Sequence, residues 1–201
     1  MIDSPTAFFT VGRSLRMATF FWHGYNIRAR SYRLQGNDLK KLGINPAILP
    51  KGVEICLASR SYFRNIHNIL KTEPDALQGI YIPGGHRKVM VPDDIGKLEL
   101  THEILHAVFD AIPLANQEEF SRLVAAGRER EPESRFYRGV AGRSNSSRLI
   151  ATEAFAFGGS KVIFERMGSE AVESDLGEVP PELKGYFERL VVDPRLLQAA
   201  A

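Results

Sequence analysis

Apolar and polar positions alternate over Gly52-Val53-Glu54-Ile55-Cys56-Leu57, and this period of two predicts a β-strand between Pro50 and Ser59. After it, Tyr62, Phe63, Ile66, Ile69 and Leu70 recur at steps of three and four, so a helix is expected up to Lys71. Gly79-Ile80-Tyr81-Ile82 and Arg87-Lys88-Val89-Met90-Val91 flank Pro83-Gly84-Gly85 and read as a β-hairpin. Pro92-Asp93-Asp94 stops the second strand and offers an aspartate N-cap to a helix over 95–112, which Pro113 ends. Further helices are expected over 116–130, 149–167 and 181–191. The stretch 132–148, rich in Arg, Gly and Ser, reads as a mobile loop. The first forty residues mix β-favouring and helical signals and end at a Gly36-Asn37-Asp38 turn. The layout is mixed α/β, of α+β type, with strands early and helices late.

Composition narrows the function. A chain of 201 residues, 44% hydrophobic and 25% charged, can bury a core and is expected to fold as one domain over 1–201. Its 26 basic and 24 acidic side chains leave a net charge of +2, too little to favour a phosphate backbone, so no nucleic-acid partner is expected. No apolar run approaches the roughly 20 residues of a membrane-spanning helix, and no signal h-region is visible. A cytoplasmic location without a membrane partner is the default expectation, with non-classical secretion left open. Cys56 stands alone, which excludes an intrachain disulfide and a thiolate-rich zinc site. A metal site has to be built from histidine and carboxylate.

The expected helix over 95–112 contains His102-Glu103-Ile104-Leu105-His106, an H-E-x-x-H pattern. Imidazoles four residues apart lie about 40° apart on a helix, so both reach one metal ion from one side. Glu103 projects about 100° from His102, where it can accept a proton from a zinc-bound water rather than ligate the metal. A shuffle of this composition yields the pattern in roughly 1% of cases. On the helical wheel Leu98, Thr101, Leu105, Val108, Phe109 and Ile112 form a core face, while Glu99, His102, Glu103, His106 and Asp110 share the adjacent arc.

Catalytic zinc takes three protein ligands and keeps a fourth position for water. Phe109 and Ile112 occupy the positions of the metzincin glycine and third histidine, so that class is excluded. His23, His67 and His86 remain, each with the simpler reading of a surface or capping residue. Glu153 is the stronger candidate, because it interrupts an apolar helix face formed with Leu149, Ile150, Ala156 and Phe157. Burying that carboxylate unpaired costs several kcal/mol, which a metal ion relieves. A salt bridge to one of the nearby arginines is the competing reading. Gly158 and Gly159 then either let this helix approach the histidine helix or break it.

The segment from His102 to Asp110, with the downstream Glu153-Ala154-Phe155-Ala156, resembles the gluzincin zinc metallopeptidases. The distance from His106 to Glu153, the preceding hairpin and the last proline-led helix are most similar to the peptidase domain of anthrax lethal factor and its relatives. The resemblance covers roughly 78–192 and implies a zincin-like fold with a catalytic core there, the segment 1–75 lying outside it. It further implies one catalytic Zn2+ held by His102, His106 and Glu153, with Glu103 as the base. The implied activity is hydrolysis of peptide bonds in a peptide or protein substrate, in the manner of a toxin or effector protease of narrow specificity. An extended substrate would add to a strand before the motif helix, either 80–82 or 87–91. Gluzincins often carry an acid one turn beyond the third ligand. Here that position is Phe157, which leaves Asp110 or Glu99 to orient a histidine. Relatives of lethal factor place an oxyanion tyrosine shortly before the glutamate, and the nearest upstream tyrosine is Tyr137. Arg128, Arg130, Arg135, Arg138, Arg143 and Arg148 would favour acidic peptides if their loop bordered the cleft. The alternatives are a zincin-like binding or regulatory module without hydrolysis, and a structural helical protein without metal.

Overall fold

The structure is a computed structural model that describes residues 15–22, 25–49, 52–62, 65, 79–82, 87–142, 146–168 and 177–199. Within it the early residues form two paired strands, β1 (Arg16–Trp22) and β2 (Tyr25–Leu34). Gly36-Asn37-Asp38 opens helix α1 (Gly36–Lys41) instead of making a free turn. The Asp38 carboxylate accepts from the backbone N–H of Gln35 and so closes the first turn. Strands β3 (Val53–Ala58), β4 (Ile80–Ile82) and β5 (Lys88–Pro92) follow. The helix expected over 62–71 lies outside the described residues except at Tyr62 and Asn65.

The sheet runs β1-β2-β3-β5-β4, antiparallel except where β3 pairs parallel with β5. Parallel neighbours require a crossover, and β4 returns from it to pair antiparallel with β5, placing Tyr81 opposite Val89. The hairpin expected around 83–86 is therefore present as a strand pair, while its turn lies outside the described residues. Strand β3 is buried on both faces, which its simple alternation did not foretell. Val53, Ile55 and Leu57 join the main core with Val89 and Val91, whereas Cys56, Ala58 and Met90 pack with Ala18, Ile27 and Ala29 on the reverse face.

Helix α2 (Lys97–Ala111) carries the H-E-x-x-H pattern and is buried around most of its circumference. It crosses between the sheet and the later helices α3 (Leu114–Arg130), α5 (Ser147–Arg166) and α6 (Pro181–Leu190). Its N-cap is Gly96, not an aspartate. Asp93 and Asp94 are consumed in the turn, where Asp94 accepts from Arg60 at 2.8 Å. The Glu99 carboxylate folds back over Gly96, so that a Cβ there would meet its Oε2 at 2.0 Å. This puts negative charge at the positive end of the helix.

The expected loop over 132–148 contains helix α4 (Arg135–Ala141), whose Phe136, Tyr137 and Val140 are buried. Arginine and glycine content concealed an apolar face repeating at one and four residues. Helix α5 runs unbroken through Gly158 and Gly159. A Cβ at Gly159 would stand 2.9 Å from Leu105 Cδ1 and 3.2 Å from Phe187 Cε1, so the glycine brings α5 against α2 and α6. Phe109, Phe120, Phe155, Tyr186 and Phe187 then lock α2, α3, α5 and α6 together, with ring centroids 5.0 to 6.4 Å apart. Helix α7 (Pro194–Ala199) ends the described chain. Among the described residues no helix is long and apolar enough to cross a membrane.

Candidate metal centre

Close contact between α2 and α5 puts one face of each helix opposite the other. His102 and His106, one turn apart on α2, bring their Nε2 atoms to 3.1 Å. From α5, Glu153 places one carboxylate oxygen 3.6 Å from His106 Nε2 and the other 3.9 Å from His102 Nε2. These three residues form a group that could hold a metal ion, each offering a ligand atom within 4.8 Å of the others. A tetrahedral ion with bonds of about 2.0–2.1 Å keeps its ligand atoms roughly 3.3 Å apart. The observed separations bracket that value, so the residues fit such an ion with only small side-chain movements.

The electrostatics suit the same use. Burial pulls the His106 imidazole down to about 4, so at neutral pH the ring is uncharged and can donate a lone pair. Glu103 is only 7% exposed. Burial pushes its carboxyl up to about 8, and the charge of Glu153 adds to the effect. A cation nearby would oppose both effects and favour the ionised carboxylate.

The remaining residues singled out by sequence fall elsewhere. Tyr137 is buried, packs over Gly127 and donates its hydroxyl to Glu182 at 3.2 Å, which gives it a structural role joining α4, α3 and α6. Arg130 pairs with Glu182, and Arg138 with Glu133 at 3.1 Å. Asp110 accepts from Tyr81 Oη at 2.8 Å, and Glu99 closes the start of α2, so neither is committed to a histidine. Phe157 takes that place in another way, its ring lying 4.2 Å from the His102 ring at 59°. His23, His67 and His86 lie outside the described residues. Strand β5 is interior to the sheet, and β4 is the last strand in its order.

Three contacts were absent from the sequence reading: Phe157 on His102, Tyr81 on Asp110, and the seating of Gly79 against Glu103. Each joins residues distant in the chain, and no local period signals them. Comparison with family models, curated proteins and solved structures gave no match.

Proposed function

We propose that the chain is a zinc-dependent endopeptidase with His102, His106 and Glu153 as metal ligands and Glu103 as the general base. The observation that carries this reading is the convergence of two histidine nitrogens and one carboxylate from separate helices at near-tetrahedral spacing. Two imidazoles and one carboxylate are a donor set that suits zinc. A bound zinc ion would supply Lewis-acid polarisation of the scissile carbonyl and a lowered pKa for water. Glu103 would take the proton of the attacking water and pass it to the departing amine. Water is consumed and one amide C–N bond is broken, so the reaction balances without a further reactant.

The zincin-like reading draws support from element order as well. A strand at the sheet edge runs antiparallel to its neighbour beside the motif helix, and a later helix supplies the third ligand. An extended peptide would pair along β4 and lay its scissile bond toward α2. A binding module without hydrolysis accounts for the ligands but gives Glu103 nothing to do, although its burial costs the metal-free fold stability at neutral pH. The experiment is cleavage of a broad peptide mixture by the native zinc-loaded chain and by Glu103→Ala. Turnover should fall by a factor on the order of 1,000 in the variant while zinc is retained. Equal cleavage by both would reject Glu103 as the base.

A further inference from the structure

The chain just before β4 rests directly on the proposed base. A Cβ built at Gly79 would stand 2.4 Å from Cγ, 2.7 Å from Cδ and 3.0 Å from Oε1 of Glu103. The three nearest atoms all belong to that one side chain. Backbone conformation does not explain the glycine, since Gly79 is not among the glycines with positive φ. Space explains it: the Glu103 side chain occupies the volume a substituent at 79 would need. Two residues on, Tyr81 faces the same helix and donates to Asp110 at 2.8 Å. Ile80 and Ile82, pointing the other way, pack against the reverse-face cluster of Cys56 and Met90. The edge segment therefore touches α2 at two points seven residues apart, the proposed base and Asp110.

The geometry points to Gly79 as a positioning residue for Glu103, its bare backbone forming the wall that sets where the carboxylate stands. The Tyr81–Asp110 hydrogen bond holds the strand, and so the wall, at that distance from the helix. The catalytic part of this inference rests on the hydrolase reading above, whereas the packing part does not. A methyl group at 79 should turn Glu103 aside and leave His102, His106 and Glu153 where they are. A displacement of about 1 Å in a reacting group can cost on the order of 100-fold in rate.

A double-mutant cycle combining Gly79→Ala with Glu103→Ala tests this through thermal stability, zinc content and peptide hydrolysis. Gly79→Ala should lower Tm by a few degrees in the native background and leave it unchanged in Glu103→Ala, where the colliding atoms are gone. Zinc content should not change. The kcat for peptide hydrolysis should fall between about 10- and 100-fold, with KM altered less than about twofold. An equal loss of Tm in both backgrounds, or loss of zinc, would overturn the inference by making Gly79 a general packing residue. Coupling in a chain that hydrolyses nothing would instead overturn the hydrolase reading and reduce Gly79 to a packing partner of Glu103. If Gly79→Ala fails to fold, Tyr81→Phe carries the test: kcat should fall several-fold at unchanged zinc content, and an unchanged kcat would overturn the inference.

Discussion

Glu103 and His106 pull the stability of the metal-free protein in opposite directions along the pH scale. Glu103 has its folded pKa raised from 4.5 to about 8, so its contribution is full at low pH and is lost as pH rises through about 8. His106 has its folded pKa lowered from 6.5 to about 4, so its contribution is present above 6.5 and is lost as pH falls through about 4. Metal-free Glu103→Gln should therefore gain stability over the native chain at pH 8, with the advantage shrinking to nothing near pH 4. Urea denaturation at several pH values checks this, and a constant difference between the two proteins would contradict it. At the same scale the Phe157 ring packs on the His102 ring, a contact that would restrict how the imidazole turns. Phe157→Ala should speed zinc loss to a chelator by a factor of about 10 to 100, the range for residues that orient metal ligands.

The helices that build the centre were legible because their apolar residues repeat at steps of three and four. Helices α2, α3, α5 and α6 lie within two residues of their expected bounds. Glu153 was legible for a related reason, as a charge on an apolar face that needs a partner. Helix α4 was hidden, because two turns of Phe136, Tyr137 and Val140 offer too short a period to outweigh the arginines and glycines around them. Gly159 was ambiguous in sequence, where a helix break and a close approach look alike. Its nearest neighbour is Leu105, next to His106, so the contact sets how far Glu153 stands from the histidines. Gly159→Val should destabilise the fold by about 1–3 kcal/mol, as overpacking does. It should also weaken zinc binding more than a surface substitution of equal cost. Denaturation and chelator competition measure the two effects, and weaker folding with unchanged zinc affinity would contradict the coupling.

Across the whole molecule, strand order was the least legible feature. Local pattern finds the pair β4 and β5, but nothing local says that β5 inserts beside β3 and leaves β4 last in the sheet order among the described residues. That arrangement brings Gly79 onto Glu103 and Tyr81 onto Asp110, joining the sheet to the proposed catalytic helix. The candidate ligands come from two helices separated by α3 and α4 in the chain, so a bound ion should tie distant parts of the fold together. Ligand present at about 1,000 times its Kd stabilises a fold by about 4 kcal/mol. At that zinc level, stripping the ion should lower Tm by roughly 10 °C, and restoring it should recover the loss. In His106→Ala the chelator should have little effect on Tm.

The most direct measurement is the zinc bound per chain after equilibrium dialysis, in the native protein and in Glu153→Gln, by elemental mass spectrometry. About one zinc per native chain is expected from a single three-ligand site, with most of it lost in Glu153→Gln at the same free zinc. A native chain that binds no zinc, or a Glu153→Gln chain that holds it as tightly, would contradict the three-ligand centre from which the proposed function follows.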